Sequence, residues 1–340
     1  MKLKDSSSPV CRATSLMLAL ALPLASGGCQ GRGVTASHSL SPPRPQTCDR
    51  PTAYEQADMT ADLAYLASPA LDGRAPGSPG DVAARSFIAE RFACLGLATV
   101  GSLVGFEQPF TDQAGNHTAN VLGQITGTKP GLAAESVLIS CHTDHFGGGK
   151  LGANDNASGV AALLSIAQDL VNRGIKPDRT LLFAAFGAEE TGFEGSEYFM
   201  TNPPPAFDTS KLVYNVNMDM VGSYTASKML HALGSFDGTA GKTAVMAHTS
   251  EHPNLTLSFG DESSLSDNAT FCSRGVPYLF FWTEDTECYH QTCDTSARVD
   301  YASLASIAPL VGSVSLELAN SSSDLRKGIV ATKDVCAGTP

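Results

Sequence analysis

The chain has 340 residues, of which 42% are hydrophobic and 16% charged, and its formal net charge is −12 at pH 7. This acidic balance argues against a nucleic-acid-binding surface, which requires clustered Lys and Arg. The apolar content suffices for a sizeable core, and the length fits one α/β domain better than two once the two ends are set aside.

The first 28 residues are typical of a bacterial export signal. Basic residues precede a short apolar run, 16–25, which is too short to span a bilayer. The end of this run resembles a lipoprotein signal in which Cys29 becomes the lipidated first residue, although Ser26 stands where that pattern has Leu. We therefore expect export from a bacterial cell. An outer-membrane lipid anchor at Cys29 and cleavage to a periplasmic or secreted form both remain open.

Three further segments follow the signal. Residues 29–50, rich in Pro, Ser and Gly, predict a disordered tether because they offer nothing to bury. The folded domain is predicted to comprise residues 51–325, and residues 326–340 are predicted to form a C-terminal tail.

Cysteine usage agrees with an exported protein, which can hold disulfides. The candidate pairs are Cys288 with Cys293 and Cys48 with Cys336. Because seven Cys follow Cys29, an odd number, at least one of them is free or pairs between chains. Cys141, inside a predicted buried strand, is the expected free thiol.

Strand and helix patterns alternate along the folded domain. Strands are predicted at residues 121–125, 137–140, 181–186, 212–218 and 278–282, and helices at 54–66, 81–95, 160–171 and 301–318. Such alternation is typical of an α/β fold in which a mostly parallel mixed sheet is sandwiched between helices in three layers.

Acidic or imidazole side chains follow the predicted strands where each one ends. Because the carboxyl ends of parallel strands meet at one edge of a sheet, we expect these side chains to lie together. Buried carboxylates repel one another unless a cation lies among them. The side chains concerned are His142, Asp144, Glu189, Glu190, Asp219 and His290, and Asp155 joins them from the loop that opens the helix predicted at 160–171.

This set of side chains predicts a metal site. Two His and several carboxylates are the ligands expected for zinc or a similar divalent ion, and a bridging carboxylate permits two ions about 3.5–4 Å apart. Such a pair polarises a carbonyl and lowers the pKa of a bound water, and a neighbouring carboxylate then serves as general base. Glu189 and Glu190 are adjacent, so one carboxylate can bind metal while the other serves as general base.

Five segments in a fixed order carry a resemblance to a known family: CHTDHFG, GANDNASG, FGAEETG, NMDMVG and YHQTCDT. They resemble the landmarks of the co-catalytic dizinc aminopeptidases, a superfamily that also holds glutamate carboxypeptidase and the glutaminyl cyclases. LDGRAPGSPG at residues 71–80 is also similar to bacterial members. The resemblance covers about residues 55–320. It implies a zinc exopeptidase fold with two Zn²⁺ per chain, acting as a monomer on peptides or small substrates with an N-terminal amide.

The resemblance also implies a ligand set. One zinc would be bound by His142 and Asp219. The other would be bound by Glu190 and His290, and Asp155 would bridge the two ions.

Three further roles follow from the same resemblance. Glu189 would be the general base that takes a proton from the bridging water and passes it to the leaving amine. Asp144 would accept the other ring N–H of His142 and so fix its tautomer. Tyr289 would help to hold the tetrahedral oxyanion.

The specificity pocket is expected near Met220 and residues 280–282, with Phe281 and Trp282 in its wall. An apolar pocket would favour Leu or Phe at the N-terminus of the substrate. The sequence departs from the family pattern at Asn268, where His is usual, and this puts local substrate positioning in doubt without removing a metal ligand.

Three other interpretations remain open. A glutaminyl cyclase would use a single zinc, and the adjacent Cys141 and His142 are compatible with it. A carboxypeptidase relative would need a cationic pocket, which the sequence does not reveal. A non-enzymatic metal-binding domain is disfavoured because the base Glu189 accompanies the ligands.

His145 is interpreted as a loop residue rather than a ligand, and Asp294 as either a structural residue or a support for the site.

Overall fold

The computed structural model describes residues 42–46, 48, 50–260 and 265–327, which all fall within one unit of the chain. The predicted export signal, Cys29, most of the predicted tether and the tail from residue 328 lie outside the described residues. The boundaries expected for the signal, tether and tail therefore stay predictions.

Eight strands form one mixed sheet. In chain order they are β1 (Glu107–Thr111), β2 (His117–Ile125), β3 (Ser136–His142), β4 (Thr180–Phe186), β5 (Leu212–Met218), β6 (Leu230–Leu233), β7 (Leu257–Gly260) and β8 (Tyr278–Trp282). Their spatial order is β1-β2-β4-β3-β5-β8-β6-β7. The four central strands, β4, β3, β5 and β8, run parallel, whereas β2 pairs antiparallel with β4 and β6 pairs antiparallel with β8. The predicted mixed sheet is confirmed.

Helices cover both faces of the sheet. They are α1 (Gln56–Leu66), α2 (Pro79–Leu95), α3 (Ser158–Asn172), α4 (Glu194–Thr201), α5 (Tyr224–Ser227), α6 (Ala240–His248), α7 (Asn268–Cys272) and α8 (Tyr301–Asn320). The helices α1, α2, α3, α6 and α8 contact one another in one layer, while α4 and α7 contact each other and the strands from the other side. The three-layer α/β/α arrangement is therefore confirmed.

The two sides of the sheet have separate cores because successive side chains of a strand point to opposite faces. In β4, Phe183 packs into the core beneath the larger helical layer, and Phe186, three residues later and so on the opposite face, packs with Phe199 and Phe271 of α4 and α7. Every residue of β3, β4 and β5 is buried, as expected of parallel strands covered on both sides. Cys141 is a free, buried thiol on the larger core, as predicted.

The first two helices begin at different residues from those predicted. The helix α1 starts at Gln56 because Tyr54 has a positive φ of 58°, which a right-handed helix does not allow. The helix α2 starts at Pro79, since the Ser78 side chain accepts the N–H of Asp81 and forms the N-cap. Asp81, the first residue of the predicted helix, lies in the first turn of α2 and pairs with Arg85 one turn later.

Two disulfides have both cysteines among the described residues. The predicted pair Cys288–Cys293 is present. The predicted pairing of Cys48 with Cys336 is wrong, because Cys48 bonds to Cys94 in the last turn of α2, with the two Cα atoms 5.3 Å apart. The residues before the domain are thereby fastened to α2.

One described helix, α8, is long and apolar enough to cross a membrane by composition alone. Slightly more than half of it, 56%, is buried inside the protein, and it contacts α1, α3, α6 and the central strands. These contacts identify α8 as a core helix of the α/β fold.

Candidate metal centre

The sheet brings the candidate ligands to one edge. His142 is the last residue of β3, and Asp219 directly follows β5. Glu189 and Glu190 follow β4 after two residues, and Asp155 lies on the connection from β3 to α3. The ends of β3, β4 and β5 are adjacent because these strands pair in parallel, and for this reason residues far apart in sequence converge.

Asp155 occupies the centre of the cluster. One of its carboxylate oxygens, Oδ1, lies 3.2 Å from Nε2 of His142, and the other, Oδ2, lies 3.3 Å from Nε2 of His290. Asp219 Oδ1 is also 3.2 Å from His142 Nε2, and Glu190 Oε2 is 3.1 Å from His290 Nε2. The structure therefore places the five side chains in two groups that share Asp155.

These groups fit metal ions. Ligand atoms bound to one tetrahedral zinc at about 2.0–2.2 Å are about 3.3–3.6 Å apart, close to the separations observed. The candidate atoms of His142, Asp155 and Asp219 all lie within 4.8 Å of one another, and all three residues are buried. Asp155 Oδ2 is buried without a hydrogen-bond partner in the described part of the chain, which is costly for a carboxylate unless a cation lies beside it.

Protons balance part of the negative charge in the metal-free arrangement. Burial lowers the pKa of His142, but the charges of Glu189 and Asp219 outweigh it and raise this pKa well above the usual value. At His290 burial also lowers the pKa, but the neighbouring carboxylates of Asp155 and Glu190 outweigh it and raise the pKa to about 9. Both imidazoles thus gain a proton that a divalent ion would displace.

Asp144 supports the site in a different way from that predicted. Nδ1 of His142 lies 3.2 Å from the backbone carbonyl oxygen of Asp144 and 3.7 Å from its carboxylate. The carboxylate instead accepts the backbone N–H groups of Glu189 at 3.0 Å and Glu190 at 3.3 Å. The tautomer of His142 is therefore set by a backbone carbonyl, while the Asp144 side chain orients the Glu pair.

Glu189 differs from its neighbour in its surroundings. It is buried, and its carboxylate lies 3.9 Å from His142 Nε2. Burial raises the pKa of Glu189 well above its usual value, and the negative charge of Asp219 adds to the increase. A carboxyl group with a raised pKa can both accept and return a proton near neutral pH.

A cavity of about 190 Å³ opens beside the cluster. Its wall contains Met220 and Trp282, two residues of the expected substrate pocket, and also Tyr289. Phe281 was also expected in this wall, but its side chain is fully buried in the larger core. Since side chains alternate along β8, the adjacent Phe280 faces the cavity instead.

Other residues of the cavity wall could not be identified from the sequence. Leu265, Asp285 and Thr286 come from loops whose path the local sequence does not determine. Tyr289 is about half exposed, and its ring stacks on His290 with ring centroids 3.7 Å apart. Among the described residues lining the cavity, none is Lys or Arg, so a carboxypeptidase-type cationic pocket is not present there.

Two residues near the ligands contact the site although the sequence did not predict these contacts. His145 is fully buried rather than solvated, and its Nδ1 contacts the Glu190 carboxylate. Asp294 accepts the backbone N–H groups of Asn154 at 2.8 Å and Asp155 at 3.0 Å, so it supports the site. The only local signal for either was its nearness in sequence to a candidate ligand.

The departure at Asn268 lies beneath the site. Asn268 is fully buried and is not part of the cavity wall. Its neighbour Ser266 accepts a hydrogen bond from Asn217 of β5 at 3.0 Å. Ser266 and Asn268 therefore lie toward the sheet, whereas Leu265 of the same segment lines the cavity.

The fold and the site define an α/β protein with a candidate dinuclear metal centre at the carboxyl edge of its central strands. The chain belongs to peptidase family M28, whose model matches residues 120–315.

Curated relatives include the leupeptin-inactivating enzyme 1 of Streptomyces exfoliatus, which is 28% identical over 282 residues, or 76% of this chain. An aminopeptidase of Pseudomonas aeruginosa is 29% identical over 214 residues, or 55% of this chain. These alignments cover 60% and 39% of the relatives' own lengths.

Solved structures share the fold. A zinc aminopeptidase from Bacillus subtilis superposes with a TM-score of 0.65 at 15% identity, covering 80% of this chain and 97% of that chain. An aminopeptidase from Aneurinibacillus sp. strain AM-1 gives a TM-score of 0.63 at 18% identity, covering 78% and 94%.

Proposed function

We propose that this protein is a zinc-dependent aminopeptidase, which hydrolyses the first peptide bond of a peptide and holds two Zn²⁺ per chain. The observation that carries the proposal is the position of Asp155, whose two carboxylate oxygens face His142 and His290 separately, with the buried Glu189 beside them. Family membership and the names of the relatives support the same activity.

The proposed ligands divide between the two ions. His142 and Asp219 would hold one zinc, Glu190 and His290 the other, and Asp155 would bridge them. Zinc ions bound there supply a polarised substrate carbonyl and a water of lowered pKa.

Side chains of this protein would carry out the proton transfers. Glu189 accepts a proton from the attacking water and returns it to the leaving amine, a use that agrees with its burial and raised pKa. Asp144 keeps Glu189 in place through the Glu189 backbone N–H. Tyr289, at the cavity wall, donates a hydrogen bond from its hydroxyl group to the oxygen of the scissile carbonyl.

The cavity supports a preference for apolar N-terminal residues. Met220, Phe280 and Trp282 form much of its wall, and each fitted apolar group of a substrate contributes about 1–3 kcal/mol of discrimination. We propose that N-terminal Leu and Phe are cleaved faster than Lys and Asp. Faster cleavage of peptides that begin with Lys or Asp would overturn this part of the proposal.

Leucine p-nitroanilide and its N-acetylated form test the activity directly. An aminopeptidase hydrolyses the first compound and leaves the second intact, because acetylation removes the free amine. Hydrolysis of both at similar rates, or of neither after zinc is added, would contradict the proposal. A glutaminyl cyclase would instead release ammonia from an N-terminal glutaminyl peptide.

We also propose that the protein is exported and acts as a monomer. Among its first 28 residues, basic residues precede a short apolar run, and this order supports export. Disulfides such as Cys288–Cys293 persist in oxidising compartments. Cell fractionation of the parent and of Cys29→Ser tests the anchor. A lipoprotein is found in the membrane fraction only when Cys29 is present, whereas a soluble exported enzyme distributes identically in both strains.

A further inference from the structure

Arg74 lies beside the candidate metal centre and is fully buried. Its Nε donates a hydrogen bond to the Thr143 carbonyl at 2.6 Å, and Nη2 donates to the Gly152 carbonyl at 2.9 Å. Nη1 donates to the carbonyls of Leu66 at 2.6 Å and Leu151 at 2.9 Å. One guanidinium group therefore satisfies four backbone carbonyls.

The positions of these carbonyls relate Arg74 to the ligands. Thr143 directly follows His142, and Gly152 precedes Asp155 by three residues. The loop between them, 144–151, leaves the sheet at the end of β3 and leads to the segment that opens α3. Arg74 ties the two ends of this loop together, so it fixes the separation of the segments that carry His142 and Asp155.

The turn that carries Arg74 is built against the same loop. Asp72 Oδ1 accepts the backbone N–H of Gly149 at 2.8 Å. Gly73 has a φ of 72°, and a Cβ atom there would lie 2.2 Å from the Lys150 carbonyl oxygen. Only glycine permits so close an approach, and the three residues of this turn thus contact the loop in succession.

Arg74 also places a positive charge behind the carboxylates. Burial lowers its pKa to about 10, while the charges of Asp144 and Asp294 act in the opposite direction, so the group stays charged at neutral pH. A buried cation is costly unless its donors are satisfied, and the planar fork of Arg satisfies more carbonyls than an ammonium group can.

We propose that Arg74 is a positioning residue that holds the His142 and Asp155 segments at the separation required for two zinc ions. It acts through the four backbone carbonyls and does not touch the substrate. The inference rests on the proposed dinuclear zinc site and adds a residue to it.

Arg179 provides a matched control. It is fully buried and donates to the backbone carbonyls of Ser321 and Ser323, and it pairs with Glu135. It precedes the first residue of β4, however, and the site residues Glu189 and Glu190 follow the last. Loss of Arg179 should therefore reduce stability without altering the site.

The experiment compares Arg74→Gln, Arg74→Lys and Arg179→Gln with the parent. Zinc dissociation constants are measured by competition with a chromogenic chelator, the visible spectrum of the cobalt-substituted protein reports ligand geometry, and thermal melting of the metal-free protein reports stability. We expect both Arg74 variants to bind zinc at least about tenfold more weakly, as is usual when a residue that supports a ligand is lost. Their cobalt spectra should change, and kcat should fall more than KM rises.

Arg179→Gln should melt at a lower temperature and keep the zinc affinity and cobalt spectrum of the parent. The inference is overturned if Arg74→Gln binds zinc within twofold of the parent, or if Arg74→Lys restores full affinity, since charge alone would then suffice. It is also overturned if both Arg74 variants fail to fold while Arg179→Gln folds, because Arg74 would then serve the whole fold. If the parent itself binds fewer than two zinc ions, the proposed function fails first and independently.

Discussion

At the scale of single residues, Asp155 decides what the site can do. A carboxylate with one oxygen toward each of two histidines is suited to bridge two cations. Glu189 and Glu190 are adjacent in sequence, yet Glu190 lies 3.1 Å from Nε2 of His290, and Glu189 lies nearer His142. Because their neighbours differ, we assign Glu190 as a metal ligand and Glu189 as the group that transfers the proton.

The substitution Glu189→Gln tests this division. It removes the proton acceptor and keeps a side chain of the same shape, so both zinc ions should stay bound while kcat falls about 10²- to 10⁴-fold. Zinc content and turnover are measured on the same sample. Retained turnover would contradict the role of Glu189, and loss of a zinc ion would make it a ligand.

A second pair of substitutions separates the cavity wall from the core. Trp282→Ala should lower the preference for N-terminal Leu over Ala about tenfold, since Trp282 lines the cavity. Phe281→Ala should leave that preference within twofold but lower the free energy of unfolding by about 3–5 kcal/mol, because its ring is fully buried. Substrate competition measures the preference, and denaturant unfolding measures the stability. If Phe281→Ala changed the preference and Trp282→Ala did not, the assignment of Trp282 to the cavity wall and Phe281 to the core would be contradicted.

The sequence identified the residue types of the site better than their orientations. Five segments in a fixed order identified the candidate ligands, because His142 and Asp219 lie at the ends of apolar strands and Asp155 lies in the segment that opens a helix. It could not decide between Phe280 and Phe281, since both neighbours are apolar and only the packed helices determine which face is core. It also gave no reason to connect Arg74 with Gly152, which are distant in sequence and meet only through backbone carbonyls.

At the scale of elements, the central strands were predictable and the edge strands were not. The predicted strands at 212–218 and 278–282 match β5 and β8 because these short runs are rich in β-branched, aromatic and other apolar residues and lie between polar loops. The strands β6 and β7 have four residues each, which is too short for a recognisable pattern. The strand β1 contains Pro109 and alternates between buried and exposed residues at the sheet edge.

The contact between α4 and α7 gives a prediction for pH dependence. Arg274 donates hydrogen bonds to Glu197 and lowers its pKa, and the Thr270 hydroxyl acts in the same direction. An acid with a lowered pKa stabilises the fold above its unfolded-state pKa of about 4.3 and loses this contribution as the pH falls through the folded value. Because the pair is largely exposed, the contribution is at most about 1 kcal/mol.

Denaturant unfolding of the parent and of Glu197→Gln at several pH values measures this contribution. At pH 7 the parent should be the more stable of the two, by at most about 1 kcal/mol. The difference should vanish below about pH 3, where the carboxyl group is protonated in both states. A difference that persists unchanged at low pH would contradict the ion pair as its origin.

At the scale of the whole molecule, the site and the fold depend on each other. Several buried carboxylates converge where three parallel strands end, and a cation bound among them should stabilise the folded state by mass action. We expect removal of zinc by a chelator to lower the melting temperature, and added zinc to restore it in a concentration-dependent way. An unchanged melting temperature in chelator and in excess zinc would mean that no ion binds the folded protein.

The zinc content per chain tests the central claim most directly. Elemental analysis after dialysis against metal-free buffer, followed by limiting zinc addition, requires no assumption about the substrate. The account predicts about two zinc ions per chain for the parent and about one for His142→Ala, since that change removes a ligand of one ion only. A maximum of one ion in the parent would favour the single-zinc cyclase, and the absence of bound zinc would contradict the metal centre altogether.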